Sequence, residues 1–182
     1  TSTNSVNGTV EPVFGKNKTI VEAYNELTIS FVENYDLIVR AYDEGVAYRF
    51  VTRLGNEIVI NSEDAIFNFP STPTIFFPEC DTHFYSEKDQ KGIYWPIHQG
   101  YRNFERVYNV YNSPTAIAND KFSVTPVLHA IPGSSNYKVV ITESDTQDYP
   151  GMYMEQNGYN SMRGKWANYP KQIMDPDALY SP

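Results

Sequence analysis

The sequence is almost without cysteine, since Cys80 is the only one among 182 residues. An internal disulfide is therefore excluded, and one thiol does not distinguish a reducing compartment from an oxidising one. Cys80 and His83 have the spacing of half a zinc site, but zinc needs four ligands and no second pair occurs. His98 and His129 share no spacing with them. We interpret these residues as a buried thiol and isolated histidines.

Basic residues are also scarce, with 14 Lys and Arg against 22 Asp and Glu and a net charge of −8. Such a chain repels phosphate backbones and shows no basic stripe, which argues against nucleic acid as a partner. An anionic membrane surface is disfavoured for the same reason. No apolar run approaches the roughly 20 residues that span a bilayer. Phosphate-binding glycine loops and the Gly-x-Ser-x-Gly motif are absent as well.

Helical periodicity is weak, and alternating apolar and polar residues take its place. Only residues 19–26 have helical spacing, and their β-branched content argues against a helix. The alternation predicts short strands separated by Gly and Pro turns, which is typical of an all-β, two-layer antiparallel β-sandwich. The predicted strands are residues 27–32, 37–42, 46–51, 57–60, 65–69, 74–77, 93–97, 104–111, 122–129, 137–142, 152–156 and 161–166.

The composition of the two ends sets the predicted domain boundaries. Residues 1–18 are polar and predict an N-terminal tail, and residues 19–168 form the β-sandwich domain. Residues 169–182 contain three prolines and predict an extended linker. The chain begins with neither an initiator Met nor a signal peptide, so we expect it to be cut from a longer protein.

The pattern around Gly45 predicts a β-hairpin. Strands at 37–42 and 46–51 flank Asp43-Glu44-Gly45, and we expect Gly45 to supply a positive φ. Arg40 and Arg49 lie at similar distances from this turn and are expected to pair with acids across the strands. The acidic candidates for this structural set are Asp43, Glu44 and Glu63.

An acidic segment follows the predicted strand at 137–142. Glu143, Asp145 and Asp148 lie within six residues and precede Pro150-Gly151. Strand ends often present functional groups, and carboxylates suit calcium. The spacing is not that of an EF-hand loop. The residue types alone favour a solvated acidic turn over a calcium site.

Several sequence blocks resemble, in the same order, the N-terminal domain of glycoside hydrolase family 97. They are YDLIVRAYDEGVAYRF at 35–50, EDAIF at 63–67, Thr125-Pro126, ITESD at 141–145 and DYPGM at 148–152. The resemblance implies a galactose-mutarotase-like super-sandwich from a calcium-dependent exo-α-glucosidase or α-galactosidase, periplasmic or secreted. In that family the catalytic carboxylates come from a (β/α)₈ barrel, so this chain is expected to hold no catalytic residue and to lead into that barrel after residue 182.

The resemblance also implies roles for the acidic segment. Glu143 occupies the position of a calcium ligand whose site is completed by barrel residues. Asp145, Asp148 and Tyr149 are candidates for the rim of the substrate pocket, and the barrel and the oligosaccharide substrate are the expected partners. The family domain is longer at its N-terminus, so we expect the first strands to be missing. The exposed sheet edges are then expected to self-associate, to swap a strand or to be covered by the chain's own tail.

Two other functions remain open at the level of sequence. A free-standing carbohydrate-binding module would expose aromatic side chains as a platform, and Tyr94, Trp95, Trp166 and the aromatics of 101–111 are the candidates. A structural adhesion domain would bury them. Core packing is the commoner use of such side chains.

Overall fold

The computed structural model describes residues 1–60, 62–80, 86–88, 94–96, 107–119, 121–133, 137–144, 149, 151–166, 169–172 and 175–180. The chain divides into two compact units, Thr1–Ile58 and Val59–Pro182. The strands of both units pair antiparallel, and the helical structure of the described residues is one 3₁₀ turn at Pro114–Ala116. The all-β, antiparallel class expected of a sandwich domain is thereby confirmed.

The first unit is a four-stranded meander. Its strands are β1 (Ser2–Val10), β2 (Ile20–Ser30), β3 (Tyr35–Tyr42) and β4 (Gly45–Thr52), paired in chain order. Neighbouring strands in such a meander pair through short connections, and alternate side chains fall on opposite faces of the sheet. β1 and β4 are its edges. The expected self-association through exposed edges stays a prediction, and the exposed Val46, Tyr48 and Phe50 on β4 are its candidate contacts.

The predicted N-terminal tail is wrong for most of its length. Residues of β1 pair with β2 without interruption, from Ser2 opposite Thr28 to Val10 opposite Ile20. β1 consists mostly of Ser, Thr, Asn and Gly, and its residues are exposed apart from Val6. An edge strand with two solvated faces needs no apolar alternation, so the period-two signal on which strand prediction depends is missing there.

The hairpin prediction holds, but its turn differs from the expectation. Tyr42 pairs with Gly45, so the loop is the dipeptide Asp43-Glu44 and Gly45 is the first residue of β4. Positive φ values in the described residues occur at Asn34, Gly15, Gly133 and Gly158. The predicted positive φ at Gly45 is therefore wrong, because a two-residue loop places the glycine in the strand rather than in the turn.

The second unit contains one large sheet and two short hairpins. The strands of the large sheet are β5 (Ile66–Asn68), β6 (Thr74–Cys80), β9 (Val107–Tyr111), β10 (Phe122–Val124), β11 (Val127–Ala130), β12 (Lys138–Ile141), β13 (Met152–Gln156) and β14 (Ser161–Trp166). Their hydrogen-bonded order is β12-β11-β6-β10-β13-β14-β5. β10 and β11 pair with one edge of β6, and β9 pairs with the opposite edge. The short hairpins are β7 (Ser86–Lys88) with β8 (Tyr94–Pro96) and β15 (Tyr169–Gln172) with β16 (Asp175–Tyr180).

Three sequence expectations are corrected in this unit. The predicted strand at 122–129 is two strands, β10 and β11, separated by Thr125-Pro126, because proline has no N–H to donate to a ladder. Residues 57–60 are not a strand. The predicted linker at 169–182 contains the β15–β16 hairpin, which begins with Tyr169 opposite Tyr180. Proline is tolerated at the edges of sheets, so the prolines of this segment do not exclude strand pairing, as the prediction of a linker had assumed.

The core of the second unit lies against the central strands of its large sheet. Its buried side chains come from alternate positions of these strands and, for Ile117, from the residue that follows the 3₁₀ turn. They are Ile75, Phe77, Ile117, Val127, Ile141, Met152, Met154 and Met162, with Phe67, Phe69, Tyr111 and Trp166 packed around them. Within the residues that the structure describes, no helix has the length and apolar character to span a membrane.

Gly164 marks the tightest packing in this core. A Cβ at this position would lie 2.8 Å from Met152 Sδ, 2.8 Å from Trp166 Cη2 and 3.3 Å from Ala65 Cβ. Gly164→Ala is expected to lower the free energy of unfolding by about 1–3 kcal/mol, because the Met and Trp side chains must move to make room. Urea unfolding followed by fluorescence measures the loss. Gly55→Ala is the control, since its Cβ would meet nothing within 4 Å; equal effects of the two changes would contradict the packing.

Candidate functional site

Glu143 lies two residues beyond the end of β12 and next to the start of β13. Its Oε1 accepts a hydrogen bond from the backbone N–H of Met152 at 2.5 Å. Met152 is the first residue of β13, and its side chain is buried in the core. One oxygen of the carboxylate is thus held by the backbone of a rigid strand, whereas no hydrogen bond within the described part of the chain engages Oε2.

Gly151 lets the backbone approach this carboxylate. A Cβ at Gly151 would lie 3.3 Å from Glu143 Oε1, the one atom of the described residues found within 4 Å of it. The φ of Gly151 is not positive, so the backbone conformation itself does not require glycine. The absence of a Cβ leaves room for the close approach of the carboxylate.

A second carboxylate, Glu63, belongs to the same site. The Tyr149 hydroxyl donates a hydrogen bond to Glu63 Oε2 at 2.5 Å. Glu63 was grouped by sequence with the hairpin arginines, whereas the hydrogen-bond partner found for it within the described residues is Tyr149. The two residues are 86 positions apart, so no local spacing could have revealed their contact.

The electrostatics of the site reflect two acids close together. Burial raises the pKa of Glu143, the N–H of Met152 opposes this effect, and the negative charge of Glu63 adds to it. Burial also raises the pKa of Tyr149, and the hydrogen bond to Glu63 and the charges of both glutamates raise it further. Tyr149 therefore stays protonated and donates, and the site accumulates negative charge that a cation would neutralise.

The described residues fit part of a calcium site. Carboxylate oxygens are suitable ligands, and Glu143 makes no ion pair with any described residue. The same part of the chain contains no group of three or more His, Cys, Asp or Glu that could hold a metal ion. Asp145 and Asp148 lie outside the described residues. Glu143 can supply a ligand, but further ligands must come from elsewhere.

The hairpin arginines have separate environments. Arg40 Nε donates to Glu26 Oε2 at 2.7 Å, across the β2–β3 pair, and its guanidinium lies 4.4 Å from the centre of the Tyr24 ring. Arg49 is exposed and forms no ion pair with a described residue. Neither arginine is paired with Asp43 or Glu44, so the predicted ion-pair set of the hairpin is not what the sheet contains.

Glu79 is the centre of a second polar cluster, which the sequence did not reveal. The buried carboxylate accepts from Lys121 Nζ at 2.7 Å, from Asn109 Nδ2 at 2.8 Å and from the Tyr111 hydroxyl at 3.3 Å. Burial favours the protonated form, but the hydrogen bonds from Lys121 and Asn109 outweigh it and lower the pKa of Glu79. Because both oxygens are engaged, this cluster is structural.

The remaining sequence candidates divide between core and undescribed positions. Trp166 packs against the core, and Tyr111 contacts Phe77 edge-on with ring centres 5.7 Å apart. His129 is fully buried and stacks on Phe69 at 4.7 Å. Two groups of candidates lie outside the described residues: His83 and His98, and residues 101–106. Tyr94 and Trp95 belong to β8, and Cys80 is the last residue of β6.

Comparisons with known proteins agree on one family. The profile of the family described as "Glycosyl-hydrolase 97 N-terminal" matches residues 1–176. A "Retaining alpha-galactosidase" from Bacteroides thetaiotaomicron is 29% identical over 175 residues, which cover 96% of this chain and 25% of the relative.

Two solved structures have the same fold as this chain. A glycoside hydrolase family 97 enzyme from Pseudoalteromonas sp. strain K8 in complex with acarbose superposes with a TM-score of 0.61 at 19% identity. A structure of such an enzyme from the same strain in complex with panose gives 0.60, also at 19%. Each superposition covers 91% of this chain and 23% of the chain of the solved structure. The chain thus spans about a quarter of the length of these relatives, and it belongs to the glycoside hydrolase family 97 N-terminal domain family.

Proposed function

We propose that this chain acts as the non-catalytic N-terminal domain of a family 97-type exo-α-glycosidase and donates Glu143 to a calcium ion completed by barrel residues. The observation that carries the proposal is the Glu143 carboxylate, which the Met152 N–H holds at 2.5 Å while no described residue forms an ion pair with it. Membership of the family supports it. The sequence expectation of a periplasmic or secreted location is part of the proposal.

The roles within this chain follow from the contacts. Glu143 would hold one position of the calcium ion, and Glu63 and Tyr149 would shape the same edge of the substrate pocket. A calcium ion held here by Glu143 would supply Lewis-acid chemistry that polarises or orients the substrate. Asp145 and Asp148 are proposed for the rim on the family resemblance alone. The acid and the base or nucleophile of a glycosidase are a carboxyl pair, which we assign to the barrel.

The substrate class is an α-glucoside or an α-galactoside. The similarity to a protein named as a retaining α-galactosidase makes α-galactosides the first substrates to assay. The solved structures with acarbose and panose support oligosaccharide binding by the parent enzyme and make α-glucosides the second. Sequencing the gene beyond residue 182 tests the proposal directly, since a (β/α)₈ pattern supports it and a stop codon contradicts it.

Glu143→Gln in the full-length protein tests the metal role. The amide keeps the size and one acceptor oxygen but loses the charge, so we expect the Kd for calcium to rise at least about 10-fold, as metal-site changes typically do. Isothermal titration calorimetry measures the Kd, and hydrolysis of an α-galactoside at low and high calcium measures the consequence. Glu44→Gln, in the exposed hairpin turn, is the matched control. An unchanged Kd for Glu143→Gln would refute the proposed ligand.

A further inference from the structure

We infer that Gly151, the Met152 N–H and the Tyr149–Glu63 hydrogen bond form a positioning device that orients the Glu143 carboxylate before a cation binds and leaves Oε2 as its single ligand atom. The inference rests on the proposed function for the identity of the cation. Its geometric part concerns the metal-free chain and stands apart from that proposal.

The first step is the hydrogen bond to Oε1. At 2.5 Å from the Met152 nitrogen, this oxygen faces a backbone proton that carries partial positive charge. Hydrogen bonds to ionised acceptors are short and strong, and this one is anchored in a strand. A bidentate carboxylate needs both oxygens at about 2.3–2.6 Å from the cation. The N–H occupies an acceptor position of Oε1, and its partial positive charge repels a cation from that oxygen. Binding through Oε2 alone is therefore favoured.

The second step is the role of Gly151. Among the described residues, Glu143 Oε1 at 3.3 Å is the one atom near its Cβ position, and its φ is one that alanine adopts. A methyl group there would require the carboxylate to shift by a few tenths of an ångström from its place at the Met152 N–H. Gly151→Ala therefore perturbs the orientation of Glu143 and little else. Tyr149 and Gly151 together are positioning residues, because neither would touch the cation itself.

The third step is the tie between Tyr149 and Glu63. Tyr149 lies two residues before Gly151, and its hydroxyl is fixed to Glu63 on the segment that precedes β5. This contact anchors the end of the loop that starts at Glu143. Negative charge on Glu63 also disfavours movement of the Glu143 carboxylate toward it. The carboxylate is thereby confined from both sides, which lowers the ordering cost of binding a cation.

NMR of the metal-free chain tests the positioning. We expect the Met152 amide proton to resonate far downfield and to exchange slowly in the wild type, and to show a smaller downfield shift in Glu143→Gln, whose side chain retains a neutral acceptor. Glu143→Ala, Gly151→Ala and Tyr149→Phe should each move the resonance upfield and speed exchange. The matched controls are Gly55→Ala and Tyr159→Phe, at exposed positions away from the site. An ordinary, fast-exchanging Met152 amide in the wild type would overturn the inference.

Calcium binding by the full-length protein supplies the second measurement. Gly151→Ala is expected to raise the Kd for calcium about 10-fold, with activity recovering at saturating calcium. The carboxylate stretching bands in a calcium-minus-apo infrared difference spectrum should show the wide splitting of one-oxygen ligation, and Glu143→Gln should remove those bands. A bidentate signature with normal calcium affinity overturns the inference and leaves the proposed function intact. A protected Met152 amide without calcium binding overturns the proposed function instead.

Discussion

Phe77→Ala is expected to lower the free energy of unfolding of the second unit by about 3–5 kcal/mol. Phe77 is fully buried in β6, packs with the core and contacts the Tyr111 ring edge-on. β6 pairs with β9 on one edge and with β10 and β11 on the other. A cavity at this strand cannot be filled by movement of one neighbour, because each is held by its own ladder.

The neighbouring Phe76 provides the control for this change. It lies on the opposite face of the same strand, is only partly buried, and its ring centre is 6.5 Å from that of the exposed Tyr108. Phe76→Ala removes the same number of atoms but leaves no closed cavity, so the loss should be clearly smaller. Chemical unfolding of both variants measures the difference. Equal losses would show that Phe77 does not occupy the interior.

Lowering the pH from 6.5 to 4 is expected to remove about 3 kcal/mol of stability through His129 alone. Burial lowers the pKa of His129 from its ordinary 6.5 to about 4, and the nearby backbone of Val139 and Val127 opposes this only partly. Neither ring nitrogen has a hydrogen-bond partner within the described residues. In this pH range the unfolded chain takes up a proton that the folded chain does not. Stability is therefore complete above pH 6.5 and is lost as the pH falls to 4.

Comparison with His129→Leu isolates this effect from other titrating groups. Leucine has a similar volume and no charge. The free energy of unfolding of His129→Leu should therefore depend less steeply on pH, with a slope that is smaller by the uptake of up to about one proton. Urea titrations at several pH values between 4 and 7.5 give both slopes. Parallel slopes for the wild type and His129→Leu would contradict the burial of a neutral imidazole. An NMR titration of the His129 ring provides a direct check.

Sequence patterns predicted the strands best where apolar residues recur along the strand and the turn is short. β13 and β14 coincide with the predicted 152–156 and 161–166, and β3 and β4 were located by the acidic turn before Gly45. β1 was missed because it is polar on both faces, and β15 and β16 because prolines suggested a linker. Alternation reports the placing of apolar side chains rather than backbone pairing, so a strand made mostly of polar residues leaves no signal.

The candidate site was predictable only in part. Glu143 was identified from its place after a strand and from the family resemblance. The Tyr149–Glu63 contact joins residues 86 positions apart. The roles of Gly151 and of the Met152 N–H depend on the approach of two chain segments. Such approaches are set by non-local strand pairing, which a single sequence does not specify.

Met152 belongs to the interior through its side chain and to the acidic site through its backbone. Its sulfur also lies where a Cβ at Gly164 would need space. Oxidation of this thioether or a change of volume at Gly164 would therefore shift the amide on which the Glu143 carboxylate rests. Substitutions of apolar residues in the interior would in this way change how the Glu143 carboxylate is held, without any contact of their own with it.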